Sequence, residues 1–416
     1  MFKFILQLAE DYNFTEGDDI INTTDPGYDA SLEDFDLSDG VENLTLGERE
    51  IYEKLLETTS SDETDSSGML KIRKNAPKAD ASEEFTLDLS KLPVKKGNGG
   101  NYAMQSFYVG SKYIYITQHI YNETKKTNTL YIFRGVYKNG KATMSKTDYM
   151  EIKAGGHGQT LEVYEYNGST YLLIDVNANK EADGWGKEIA RIKYNGNAHT
   201  NGSAGACTIT SFDRIRYLSY AYHTTTSTNT VHRCDAALST DKKYILIWTR
   251  SEKVDGVYNT VLTVHSFDAI NKALDNARKS KISYINMKNN TAIKKLAGFM
   301  MKSSDSSIKY INSKSRGVEL SNKGSNGLHS IYWCLGDEKL SGAANTLGIK
   351  RYNSDGDFKT DRRIDHEDIA DGAAMEMEGL SIPQSGDKIR FGLVPISGAK
   401  DKQYICTIKK SELVSD

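Results

Sequence analysis

From Phe85 onward the chain alternates apolar and polar positions with period two, the spacing of strands that bury one face. Five segments carry the alternation as strand, turn and strand. They are QSFYVGSKYIYIT (Gln105 to Thr117), QTLEVYEYNGSTYLLI (Gln159 to Ile174), DAALSTDKKYILIW (Asp235 to Trp248), RGVELSNKGSNGLHSIYW (Arg316 to Trp333) and EGLSIPQSGDKIRFGL (Glu378 to Leu393). Each opens with a polar residue, then a small one, then an apolar one. Second strands start near Tyr113, Tyr171, Tyr244, His329 and Ile389. Apolar third-strand positions follow at Tyr131, Ile189, Leu262, Leu347 and Ile405, at offsets of 18, 18, 18, 18 and 16 residues. Unrelated hairpins would not hold that register. The pattern predicts an all-β fold of radially repeated small sheets, a five-bladed β-propeller. A pair of β-sandwiches competes, but the constant offset and the small second residue disfavour it, because inner propeller strands crowd the axis. FTLDL (Phe85 to Leu89) is expected to pair beside QYICTIK (Gln403 to Lys409) and finish the last blade. An insertion after the third repeat predicts a helix through DAINKALDNARK, capped by Asp268.

Upstream the pattern is lost. Residues 9–43 are acidic with little periodicity, and SSDETDSSG (Ser60 to Gly68) is polar and flexible in composition. Between them Thr45 and Glu48 have capping-box spacing, and Ile51, Tyr52, Leu55 and Leu56 share one face of a helix expected over 46–58. One short helix cannot hold a core. Residues 1–80 therefore read as an acidic extension, partly helical or disordered, and residues 81–416 as the propeller.

Charge sharpens this division. Residues 1–65 hold 19 Asp and Glu against Lys3, Arg49 and Lys54, a net charge of -16, and the remainder carries +13. An acidic leader on a basic body points to a polyanionic partner, to a leader that masks the basic surface, or to a plain solvated tail. No apolar run reaches the roughly 20 residues of a membrane span. MFKFILQLAE has a short apolar stretch without a small-residue cleavage site, so no signal peptide is read. Cys207, Cys234, Cys334 and Cys406 form no CxxC pair, which disfavours a disulfide framework or a zinc ribbon.

The repeat openings supply the candidate chemistry. If they line a central channel, Gln105, Gln159, Asp235, Arg316 and Glu378 form a polar ring, with His157, Glu162, His232 and Glu376 close by. Amides and carboxylates match hydroxyls, and Arg matches phosphate, so the ring suits a sugar or polyol phosphate. The same groups can equally hydrogen-bond one another along the axis. Asp235, Glu376 and Glu378 are the candidates for the paired carboxylates of glycoside hydrolysis. No cofactor is expected. Calcium is weakly signalled by DVNANKEADG (Asp175 to Gly184), where Lys180 and Gly186 depart from the EF-hand pattern, and NSDGD (Asn353 to Asp357) reads more simply as a turn. The eight histidines show no HExxH spacing, and no nucleic-acid module is present.

Five strings in one order carry a resemblance: GGHGQTLEVYEYNG (Gly155 to Gly168), WGKEIARIKY (Trp185 to Tyr194), RIRYLSY (Arg214 to Tyr220), HRCDAALSTDKKYILI (His232 to Ile247) and EMEGLSI (Glu376 to Ile382). Together they resemble the helveticin-J-type large bacteriocins, from about Phe85 to the C-terminus. Asp235 stands where relatives tend to have Glu. The resemblance implies a secreted antibacterial protein acting on other Gram-positive cells, and it brings no catalytic residues with it. The expected partner is an anionic envelope polymer or glycan, teichoic acid being the obvious one, bound by the basic body. A carbohydrate-active hydrolase and a non-lethal cell-surface lectin or adhesion module are the rival readings.

Overall fold

The computed structural model describes residues 76–96, 101–254, 258–303, 315–336, 347–369, 371, 373–397 and 400–413. The chain divides into two units, Met1–Glu63 and Thr64–Asp416, and all described residues belong to the second. The helix expected over 46–58, and the acidic extension as far as residue 75, lie outside them.

Strands follow the alternation closely. β1 (Lys78–Asp80) and β2 (Ser82–Asp88) lead into β3 (Ser106–Val109), β4 (Ile114–Asn122), β5 (Thr127–Lys138) and β6 (Lys141–Lys153). β7 (Leu161–Tyr166), β8 (Ser169–Val176), β9 (Glu188–Lys193) and β10 (Asp213–Arg216) come next. β11 (Val231–Leu238), β12 (Tyr244–Ser251) and β13 (Tyr258–Ser266) precede helix α1 (Phe267–Lys279), β14 (Tyr284–Asn286) and β15 (Lys295–Ser303). β16 (Ser315–Lys323), β17 (His329–Leu335), β18 (Gly348–Asn353) and β19 (Phe358–Asp365) are followed by β20 (Met375–Ser381), β21 (Ile389–Pro395) and β22 (Lys402–Ile408). The fold is mostly β, and among the described residues no helix is long and apolar enough to cross a membrane.

These strands form sheets ordered β14-β10-β9-β8-β7, β11-β12-β13-β15 and β1-β19-β18-β17-β16, and one of eight strands, β20-β21-β22-β2-β6-β5-β4-β3. The closing strand lies where its alternation puts it: β2 runs antiparallel to β22, with Phe85 opposite Ile405. β2 also pairs in parallel with β6, which joins the first and last repeats into one sheet, a link that no local turn signal announces. Parallel pairings of β1 with β19 and of β10 with β14 extend two other sheets.

Apolar layers lie between successive sheets. Tyr115, Leu130 and Ile132 of the first repeat meet Leu172, Ile174 and Ala190 of the second. Leu173 and Ile189 meet Ala236, Ile245 and Ile247, with Phe267, Ile270 and Leu274 of α1 added. Leu246 and Trp248 meet Ile331 and Trp333, whose rings cross edge-on at 5.8 Å between centroids. Cys334 and Ile349 meet Leu380, Phe391 and Cys406, and between the two halves of the eight-stranded sheet Ile405 and Leu87 meet Phe107 and Phe133. A fully buried Leu, Ile or Phe contributes about 1.5–3 kcal/mol, so these layers hold the sheets face to face. The first strands touch in a closed succession, β3 to β7 to β11 to β16 to β20 and back to β3. Crowding there explains the small second residue. A Cβ at Gly317 would sit 3.1 Å from Gly379 Cα, and one at Gly379 3.1 Å from Ser106 Cα.

α1 corrects one expectation. Its N-cap is Ser266, whose Oγ accepts from Ala269 N, while Asp268 sits in the first turn and pairs with Lys272 at 2.7 Å. A serine oxygen at the cap and a carboxylate one turn inside both favour the helix N-terminus, so the signal was shifted by two residues.

Candidate functional site

Because the first strands touch, their polar opening residues converge. Gln159 is the hub. Its Nε2 donates to Glu378 Oε2 at 2.8 Å and lies 3.3 Å from both the backbone oxygen and Oε1 of Gln105. Its Oε1 accepts from Arg233 Nη2 at 3.1 Å, and the same nitrogen reaches Asp235 Oδ2 at 3.1 Å. Asp235 Oδ1 takes Thr160 Oγ1 at 3.4 Å. On the far side Arg316 pairs with Glu376, and its Nη1 stands 4.0 Å from Glu378 Oε1. All five opening residues and Glu376 therefore share one network.

Arg233 is the member that the sequence reading missed. It is fully buried, with its guanidinium carbon 3.9 Å over the Trp185 ring and 5.0 Å from that of Trp248. Its Nε and Nη1 have no hydrogen-bond partner among the described residues. A signal was available. Arg233 and Asp235 are two apart in an alternating strand, so both side chains leave the same face. In the sequence Asp175 stands out only as a calcium-ligand candidate. Instead it points inward, accepting from Gly158 N at 3.1 Å.

Burial governs the electrostatics. Desolvation raises the Glu378 carboxyl to about 8, against the pull of Arg316. It raises Asp235 against the pull of Arg233. Asp175 rises to about 7, first by burial and then by the nearby Asp235 charge. Glu378 is thus largely protonated at neutral pH. Asp235 and Glu378 are each 1% exposed. Their oxygens are taken up by Arg233, Thr160 and Gln159, which is the arrangement of a closed polar core. Hydrolysis requires two carboxyl groups open to a substrate and a water.

The remaining predicted residues lie outside the hydrogen-bonded network, His157 packing on the Trp185 ring that Arg233 covers. His157 lies between His119, at 4.9 Å, and Trp185, at 4.2 Å, and donates from Nδ1 to the Asp183 carbonyl. Its packing, and then His119, hold it well below its ordinary value. His232 sits at a bulge in β11 between Val231 and Arg233. Glu162 forms a second cluster, accepting from Leu238 N and from Lys242 Nζ, both at 2.9 Å. Glu319 is buried beside it, and burial followed by the Glu162 charge pushes its carboxyl well above the usual range. In the 175–184 loop, Asn128 Nδ2 donates to the carbonyls of Asn179 at 2.7 Å and Glu181 at 3.2 Å. Asn128 thus uses backbone oxygens that a cation would need. Asn353 Oδ1 accepts from Asp355 N and Asp357 N, which closes the expected turn. Among the described residues no group of three His, Cys, Asp or Glu is placed to hold a metal ion.

The sequence profile of the family described as bacteriocin helveticin-J matches residues 80–334. The chain belongs to the helveticin-J bacteriocin family. That span includes Gln105, Gln159, Arg233, Asp235 and Arg316 but ends before Glu376 and Glu378. No curated protein matches the chain. Among solved structures, the tail fibre of Staphylococcus aureus phage P68 is similar over 80% of this chain at 13% identity, with a TM-score of 0.45. This chain spans 55% of that fibre. The α-L-arabinanase of Cellvibrio cellulosa, complexed with arabinohexaose, is similar over 76% of this chain and 99% of its own, at 8% identity and a TM-score of 0.34. The endo-arabinanase of Bacillus licheniformis is similar over 75% of this chain and 94% of its own, at 11% identity and a TM-score of 0.32.

Proposed function

We propose that this chain is a secreted antibacterial protein that docks through a basic body on the anionic envelope of Gram-positive cells, and that its sheets form a five-bladed β-propeller. The family match over residues 80–334 carries the reading. The closed succession of five first strands supports the blade count. The net charge of +13 beyond residue 65 supports attraction to wall polymers such as teichoic acid, an attraction that salt screens. The burial of the axial carboxyl groups supports a scaffold role for Gln159, Asp235 and Glu378 in place of hydrolysis. In this reading the network fixes the blades, and recognition falls to the outer surface.

The test is a killing assay on Gram-positive indicator cells with analysis of released products. Killing without released reducing ends is the expected result. Released sugars would establish a hydrolase, and envelope binding with neither killing nor release would establish a lectin or adhesion module.

A further inference from the structure

Away from the axis, the β16–β17 turn and the segment after β20 enclose a groove of about 580 Å³. That volume lies within the roughly 300–1,000 Å³ of small-ligand sites. We infer that this groove binds an anionic polyol, a hydroxylated carbon chain bearing phosphate, because cationic, amide and hydroxyl groups line it around a buried histidine acceptor.

The lining is one-signed. Lys323, Arg351, Lys359 and Lys410 contribute to it, and no carboxylate does. Lys359 is paired outside the groove with Asp357 at 3.3 Å, and Asp387 lies nearby, bonded to Ser411 N at 2.7 Å. Arg351 spends two of its donors on neutral oxygens, Ser330 Oγ at 3.0 Å and the Leu413 carbonyl at 2.8 Å, so these contacts leave its charge uncompensated. Lys323 stands 5.1 Å from the Tyr244 ring, a contact that orients the ammonium without neutralising it.

His329 lines the same groove and is 2% exposed. Its Nδ1 faces the Ser321 carbonyl at 2.8 Å, and a carbonyl only accepts, so Nδ1 carries the proton. In the neutral ring Nε2 is then an acceptor, and it has no partner among the described residues. Burial, aided by Lys323, keeps the ring neutral by lowering its pKa, while the Ser321 carbonyl and Asp241 oppose the shift. A buried acceptor beside a cluster of cations matches a ligand that donates O–H and carries negative charge. Inorganic phosphate keeps an O–H but fills little of a groove of this volume, and a neutral sugar lacks the charge. The groove is separate from the axial network, so the inference stands whether or not the chain kills cells.

The test is calorimetric titration of the full chain with sn-glycerol 3-phosphate, a short poly(glycerol phosphate), inorganic phosphate and glycerol. Saturable binding of a glycerol phosphate, tighter than inorganic phosphate and absent for glycerol, is expected. Tighter binding of the oligomer would assign the site to a polymer, and equal affinities would assign it to a free polyol phosphate. Lys323→Ala with Lys410→Ala should weaken binding at least tenfold. His329→Phe should weaken glycerol phosphate while sparing inorganic phosphate, each variant keeping the wild-type thermal transition. Binding of neither glycerol phosphate, or wild-type affinity in the folded double lysine variant, would overturn the inference. Should His329→Phe not fold, His329→Asn, which keeps a donor for the Ser321 carbonyl and ends short of the Nε2 position, supplies the same readout.

Discussion

Gln159 and Glu378, 219 residues apart in sequence, meet in one hydrogen bond of 2.8 Å from Nε2 to Oε2. The bond ties the second repeat to the fifth, and Oε1 of the same amide accepts from Arg233 of the third. One side chain thus satisfies polar groups from separate sheets, where a missing partner costs about 1–3 kcal/mol per buried group. Gln159→Leu is expected to lower stability by about 2–3 kcal/mol, read from the midpoint of urea unfolding with an unchanged slope. An unchanged midpoint would show that the network reorganises around the loss.

Glu378 gives the network a pH dependence of defined sign. Its folded value of about 8 lies above the ordinary 4.5, so the folded state holds a proton that the unfolded state releases. The contribution is complete below about pH 4.5 and is lost as pH rises through 8. Asp175, raised from 3.8 to about 7, acts in the same direction. Glu378→Gln keeps an acceptor for Gln159 and removes the titration. It should match wild type near pH 4.5 and exceed it by ~4 kcal/mol at pH 8.5. Parallel stability curves for the two proteins would refute this.

Lys350 and Asp361 form a buried pair, 1% and 0% exposed, with Nζ 3.9 Å from Oδ2. Removing one member of a buried ion pair costs about 3–5 kcal/mol, whereas replacing both with apolar residues is often neutral. Asp361→Leu alone should therefore destabilise strongly, and Lys350→Met with Asp361→Leu should recover most of the loss. Thermal melts of the two variants decide it, an additive double variant being the contrary result.

The acidic leader is tested through salt. Deleting residues 1–75 keeps Ala76, which is buried against the Trp248 and Trp333 layer, and every described strand. The truncated chain should unfold cooperatively and bind anionic walls more tightly than the full chain at low salt. The gap should close as the Debye length falls below about 8 Å. Equal affinities at low salt would make the leader a passive tail.

The repeat was legible because it is local. A polar, small, apolar opening and a fixed distance to the third strand survive in sequence, and the alternation of FTLDL with the need to close the ring placed it beside QYICTIK, where β2 and β22 pair. What stayed hidden depends on distant pairing. The parallel contacts of β1 with β19 and β2 with β6 have no connecting turn to announce them. The five openings could be named but not their bonding, since the Gln159 amide that Arg233 and Glu378 share comes from another repeat. The groove was invisible for the same reason: His329 and Gln384 become neighbours only when two turns face each other.

The seam between β2 and β22 sets a condition on how the protein is made. Phe85 leaves the ribosome early and waits for Ile405 before its edge is covered. Glu84 likewise waits for Arg390, 306 residues later. Through nearly all of translation the nascent chain can stack sheet on sheet but cannot lock the first to the last. Long-range strand pairing of this kind is slow and leaves edges open to wrong partners. A stop codon ahead of Lys402 would therefore do more than shorten the chain, since it would release a body with its fastening strand gone and β2 exposed as a sticky edge.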